Sequence, residues 1–270
     1  MRSVRRIHNL RPLADIPALI KSKWAAFLFN EQSGAVAVDS AAAFNNNDGT
    51  PWFPAGVTLT GSTANAWSDV GFINTTGTDF EIFLDSAPFD AAFDIKAKYL
   101  SGSGHIIFAY GGKFAQPTSN ETVFSIQVGA RIRHASNGTG RISFVFRTEP
   151  SSEYIVFTDD SPINPFDGTY HHILFDLDFN TRIISRYIDG GIVTAPMPTQ
   201  PLLQSGSGAA LLGRRIGATI TQNIGSFSAA SQVGYFYAFS VDGNVSSSIP
   251  EIAANLMRNS GELPYEAEVL

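Results

Sequence analysis

The chain has 270 residues, 44% hydrophobic and 12% aromatic against only 16% charged, which excludes wholesale disorder and leaves ample apolar material for a large core. A formal net charge of −6 argues against a general nucleic-acid binder, which needs a clustered Lys and Arg face. The absence of cysteine excludes disulfides and thiolate metal sites, so stability has to come from packing.

Residues 1–23 read as an arm. Arg2, Arg5, Arg6 and Arg11 precede a short helix expected around Asp15 to Lys23, capped by Asp15 with Pro17 in its first turn. Pro12, Asp15, Pro17, Lys21 and Lys23 interrupt every apolar run there, so no signal peptide is expected, and no apolar run approaches the ~18 residues of a membrane span. From Trp24 onward, apolar runs alternate with Gly, Asn, Asp, Ser and Pro clusters, the signature of a sandwich or barrel. Strands are expected at "WAAFLFN", "FEIFLD", "FDIKAKYL", "HIIFAYGG", "TVFSIQVG", "RISFVFR", "EYIVFTD", "YHHILFDLD", "RIISRYID" and "VGYFYAFSV". In the last of these, alternation sets Val233, Tyr235, Tyr237, Phe239 and Val241 against Phe236 and Ala238. Apolar side chains on both faces call for cover on both, by the second sheet and by a loop, a helix or a partner chain. "SSSIPEIAANLMRNSG" is the one clear helix, with Ser248 as cap, Pro250 in the first turn and Asn259 to Gly261 as the stop. The expected organisation is an arm over 1–23, one domain over 24–258 and an acidic tail over 259–270.

The stretch "FDGTYHHILFDLDFNTRIISRYIDGG", residues 166–191, holds two adjacent histidines among aspartates. Strand alternation places His171 with Ile173, Phe175, Leu177 and Phe179, and His172 on the opposite face with Leu174, Asp176 and Asp178. Neighbouring strand residues cannot share one metal, and a zinc site needs three or four converging ligands. Asp167-Gly168 and Asp189-Gly190 are turn dipeptides, and Asp178, Asn180 and Thr181 sit at another turn, so the stretch reads as a hairpin and no metal site is expected.

The segments "WAAFLFNEQSGAVAVDSAAAFNNNDGT", "FDIKAKYLSGSGHIIFAYGG", "FDGTYHHILFDLDFNTRIISRYIDGG", "LLGRRIG" and "VGYFYAFSVDGNVSSSIPEIAANL", in that order, resemble the laminin-G-like or pentraxin-like jelly roll of the concanavalin A-like superfamily. Glu31, Gly34, Asp39, Ser40, His171, His172, Tyr187, Asp189 and Gly190 match its pattern, while Asn30 stands for an opening Asp and Tyr170 for a Trp. The resemblance spans residues 24 to 258. It implies an all-β, two-sheet antiparallel sandwich with an N-terminal arm and a short C-terminal helix, and it implies no particular function.

An enzyme on this fold would resemble the glycosidases of the superfamily, with paired carboxylates on one strand. Asp79, Glu81 and Asp85 of "DFEIFLD" come nearest, and the charged face of an edge strand accounts for them. No nucleophile elbow, phosphate loop or His-Glu-x-x-His run is present, so no catalytic residue is expected. A glycan-binding module would use loop amides, carboxylates and a stacking aromatic; the candidates are Asn46, Asp48 and Trp52 in "FNNNDGTPWF", and Trp67 and Asp69 in "ANAWSDVG". No calcium pattern is recognisable, so no cofactor is expected. The basic arm and the missing leader favour an assembly subunit, set on the surface of a phage particle in a head-decoration or tail position. In that setting Arg2, Arg5, Arg6 and Arg11 dock onto other virion proteins and the loops face outward to a host glycan. Nucleic acid and membrane are not expected as partners, and a homo-oligomer is.

Overall fold

In the computed structural model the residues described are 23–27, 36–37, 57–61, 65–68, 71–74, 80–84, 95–117, 120–126, 130–136, 140–149, 152–159, 161–202, 210–216 and 232–258. Their strands are β1 (Lys23–Phe27), β2 (Val36–Ala37), β3 (Val57–Gly61), β4 (Asn65–Ser68), β5 (Gly71–Asn74), β6 (Phe80–Leu84), β7 (His105–Ala115) and β8 (Glu121–Ile126). They continue with β9 (Ala130–His134), β10 (Ile142–Thr148), β11 (Ser152–Val156), β12 (Asp167–Asp178), β13 (Ile183–Ile188), β14 (Gly191–Pro196), β15 (Ala210–Ile216) and β16 (Gln232–Val241). Two helices join them, α1 (Ile95–Ser101) and α2 (Ile249–Arg258).

The strands form two antiparallel sheets. The first runs β14-β13-β12-β7-β16-β5-β4, with β1 also paired to β16; the second runs β11-β10-β9-β8-β15-β6-β3-β2. Their inner faces meet in one core: Phe108, Tyr110, Ile173, Phe175, Leu177 and Phe236 of the first sheet pack against Ile132, Ile142, Phe144 and Phe146 of the second. The Phe144 ring lies 5.5 Å from that of Phe175 and 6.3 Å from that of Phe108, which fastens sheet to sheet. Each such side chain taken out of water stabilises the fold by about 1.5–3 kcal/mol, and the lost chain entropy offsets most of the sum. The sandwich expected from strand patterning is therefore the fold observed.

The first sheet is apolar on its outer face as well. Ile107, Ala109, Leu174, Tyr187, Tyr235, Tyr237, Phe239 and Val241 form a second cluster with Ile249, Ile252 and Ala253 of α2. Among the described residues, α2 supplies cover for this face. Its start is as read from sequence: the Ser248 carbonyl accepts the Ile252 N–H at 3.0 Å and Ser248 itself is buried.

Three expectations are corrected. "FDIKAKYL" is not a strand, because its residues Ile95 to Leu100 belong to α1. Ile95 and Tyr99, four apart, are its buried pair, and Gly102 at φ +65° closes it, its N–H reaching the Lys98 carbonyl at 3.0 Å. Val233 does not share a face with Tyr235: the register of β16 slips at Gly234, a bulge that turns Val233 into the inner core. Nor is β6 an edge strand, since it pairs with β15 on one side and β3 on the other, setting Glu81 opposite Gly213 and Thr60. Asp79 and Asp85 lie outside the described residues.

Candidate functional site

The two histidines of β12 go to opposite faces as alternation requires, and each is committed to a separate structural task. His171, 4% exposed, bridges two carboxylates: its Nδ1 is 2.6 Å from Asp189 Oδ2 and its Nε2 is 2.9 Å from Asp167 Oδ1. Asp167 also accepts the Thr169 N–H and hydroxyl, both at 2.7 Å, and Asp189 accepts the His172 N–H at 2.8 Å. Burial alone would push His171 down, but hydrogen bonds to Asp167 and Asp189 outweigh it and hold the imidazole above its ordinary value. Asp167 is held well below the carboxylate range, first by the His171 hydrogen bond and then by those from Thr169. Together these groups tie the start of β12 to the β13–β14 turn, where Asp189 at φ +47° and Gly190 at φ +81° supply the left-handed backbone of a two-residue hairpin.

A pH dependence follows. A raised imidazole contributes stability that is complete below about pH 6.5 and is lost as pH rises through the folded value; the depressed Asp167 contributes above about pH 4 and is lost on acidification. Chemical denaturation across pH 5 to 9 should therefore show stability declining on the alkaline side, and His171→Gln should flatten that decline. An unchanged slope in the variant would remove His171 as its cause.

His172 faces outward and is half-buried. Its Nδ1 is 3.1 Å from the Tyr235 hydroxyl and its ring stacks at 5.8 Å on Tyr235, with Tyr170 at 5.0 Å. Burial keeps this imidazole below its ordinary value, the opposite direction to its neighbour His171. Opposite it on β7 is Gly111.

At the far end of β12 lies a third polar group. His105, fully buried, sets its Nδ1 2.8 Å from Asp176 Oδ1, while the Val245 N–H donates to its Nε2 at 3.3 Å and thereby assigns the proton to Nδ1. Asp178 accepts from Asn180 N–H at 2.9 Å, Thr181 hydroxyl at 2.8 Å and Ser246 hydroxyl at 3.0 Å. A serine, a histidine and two aspartates thus stand together without the order that nucleophilic catalysis needs, because the Ser246 hydroxyl donates to Asp178 and not to His105. The set pins the β12–β13 turn to the segment entering α2. Among the described residues no group of three or more His, Asp or Glu side chains could hold a metal ion.

Arg2, Arg5, Arg6, Arg11, Asn46, Asp48, Trp52 and Asp69 lie outside the described residues. Trp67 is in β4, opposite Phe72 of β5, at one edge of the first sheet. What the sequence reading passed over is the outer face of the second sheet. Ala130, Ile132, Ile142, Phe144 and Phe146 point inward, so Arg131 and Arg133 of β9 and Arg147 of β10 point outward, with Arg141 one step before β10 in the same alternation. The signal was available as Arg-Ile-Arg and as Arg141 and Arg147 six apart; the strand Ala130–His134 was the missing element.

The fold is a two-sheet antiparallel β-sandwich in which His105 and His171 are joined to aspartates in structural pairs. No family model and no curated protein sequence matches the chain. Solved structures do: botulinum neurotoxin type C, described as depending on interaction with two ganglioside molecules to enter cells, superposes with a TM-score of 0.58 at 10% identity, covering 93% of this chain and 57% of that one. A botulinum neurotoxin serotype D/C binding domain gives 0.58 at 10% identity over 89% of this chain and 53% of that one. The binding domain of botulinum neurotoxin DC in complex with rat synaptotagmin II gives 0.57 at 9% identity, covering 89% and 52%. The chain spans little more than half the length of these structures, and at such identities the likeness is one of fold.

Proposed function

We propose that the chain is a non-catalytic binding module whose ligand is a surface carbohydrate. The observation that carries this reading is the fold likeness, over about nine-tenths of the chain, to neurotoxin binding domains, one of them described with gangliosides. The internal pairing of His105, His171 and their aspartates agrees with it, since these groups are committed to holding the turns at the two ends of β12. A glycan array probed with the full chain tests the reading, with reproducible binding to a related set of glycans as the expected result. No binding on any glycan, or release of reducing sugar from one, would overturn it.

The laminin-G-like, concanavalin A-like assignment belongs to the same proposal and rests on the order of the segments that carry the resemblance. So does the virion setting, which rests on the basic residues at 1–23. Deleting residues 1–20 is expected to leave the sandwich folded, judged by an unchanged circular dichroism spectrum, while abolishing incorporation into particles. Normal incorporation of the truncated chain would sink the virion reading and leave the carbohydrate reading intact.

A further inference from the structure

The described residues contain five buried side-chain nitrogens or oxygens without a hydrogen-bond partner, and four of them are the Nε atoms of Arg131, Arg133, Arg141 and Arg147. All four belong to the outer face of the second sheet defined above. Strand register sets Arg133 opposite Ser143 and Arg131 opposite Val145, and on the other side of β10 Arg147 opposite Glu153. The same row continues through the backbone of β8 and β15, where Arg133 is opposite Thr122 and Thr122 opposite Arg215.

The face is crowded with one sign of charge. On β9, β10 and β11 the one outward carboxylate is Glu153, and it is taken by Arg131 at 2.6 Å; Glu81 of β6 falls on the same face three strands away. Arg141 reaches the Thr158 carbonyl at 2.8 Å, which is neutral. Arg133 is held below the ordinary arginine value, first by burial and then by Arg131, with Glu153 opposing the shift and Arg141 adding to it. In a chain of net charge −6 this concentration of guanidinium is local, and among the described residues of these strands Glu153 alone offsets it. An incoming anion would relieve the repulsion and supply acceptors to a group of planar forks, each able to bind a sulfate or carboxylate with two parallel hydrogen bonds.

The geometry points to this face, Arg131, Arg133, Arg141 and Arg147, as a binding surface for a polyanionic polysaccharide carrying sulfate or carboxylate groups. The inference deepens the carbohydrate reading and rests on it for the choice of a glycan. Stems on adjacent strands stand about 5 Å apart and alternate residues along a strand about 7 Å, a grid comparable with acidic groups borne on successive sugars. Two other polyanions fit less well. The outward side chains of β9–β11 among the described residues, Arg131, Arg133, Arg141, Arg147, Glu153 and Ile155, together with the fully buried Ser143 and Val145, include no aromatic ring on which a base could stack. Among the described residues, none of the exposed large apolar side chains, Leu100, Ile192, Val193 and Met257, lies on this face to enter a membrane.

The test is binding of the full chain to heparin, hyaluronate, neutral dextran and duplex DNA, by biolayer interferometry at low and physiological salt. Expected are binding to heparin or hyaluronate that weakens with salt, none to dextran, and a loss of roughly tenfold or more in the double variant Arg133→Gln, Arg147→Gln. Arg131 is left in place because it holds Glu153. Should the double variant fail to fold, phenylglyoxal footprinting of the unaltered chain decides: heparin should protect Arg133 and Arg147 and leave the exposed Arg182 reactive. Binding insensitive to the substitutions, equal modification with and without heparin, or tighter binding to duplex DNA than to either polysaccharide would each overturn the assignment. A neutral glycan found on the array and bound equally by the double variant would overturn it while leaving the carbohydrate reading standing; no glycan of any kind would end both.

Discussion

Arg186→Ala is expected to destabilise the sandwich by about 3 kcal/mol or more, because it removes a cation buried between the sheets and leaves its volume empty. Arg186 stands on β13 facing inward and is 3% exposed. Its Nη1 donates to the Ile142 carbonyl of the second sheet at 2.7 Å, and its guanidinium lies over the Phe157 ring at 4.8 Å. Burial holds it below the ordinary arginine value, so water has been removed from a charge that is offset by one carbonyl, one aromatic face and the nearby Tyr110 and Asp159. The contrast variant is Arg186→Met, which fills the same volume with no charge to desolvate and should lie within about 1 kcal/mol of the unaltered chain. Denaturant midpoints followed by circular dichroism measure both. If alanine cost no more than methionine, the volume of the buried side chain would not be what ties β13 to β10.

Gly111→Ala should be nearly as damaging, at about 3 kcal/mol, and for the opposite reason. A Cβ at this position would lie 2.3 Å from Cε1 and 2.9 Å from Cζ of Tyr235, and 3.1 Å from the His171 carbonyl. Neither neighbour can yield cheaply, since Tyr235 is 1% exposed and the carbonyl belongs to β12. The missing side chain of β7 is thus the socket into which the β16 tyrosine leans to reach His172. The coupling is testable: in a Tyr235→Ala background the Gly111→Ala substitution should cost much less, giving a strongly non-additive double-mutant cycle. Additive losses would mean that the ring and the glycine do not share one space.

Local pattern carried much of the reading. The alternation along "YHHILFDLD" separates His171 from His172 correctly, because a strand of period two admits only that division when one face is core. Asp189-Gly190 marks a two-residue turn for a local reason as well, the positive φ both residues require. Capping chemistry placed the start of α2 within one residue. The failures share a cause. "FDIKAKYL" is too short for period to separate helix from strand, since Ile95, Ala97 and Tyr99 alternate while Ile95 and Tyr99 are also four apart. What selects the helix is distant: Arg182 over the Tyr99 ring at 4.3 Å and the backbone of Pro198 at its hydroxyl. The bulge at Gly234 likewise has no local sign beyond a glycine, and one extra residue reverses the facing of Val233.

The sites divide in the same way. That no thiolate, phosphate loop or carboxylate run is present follows from composition and motif, because those chemistries need particular residues close together in the chain. The pairing of His105 with Asp176, 71 residues on, and of His171 with Asp189 across a turn could be decided only by tertiary structure, since hydrogen bonds between side chains depend on which strands become neighbours. The arginine face belongs to both: alternation puts Arg131 with Arg133, and Arg141 with Arg147, but only the β9–β10 register brings the two pairs together, because strand pairing is a non-local choice made by the core on the other side of the sheet.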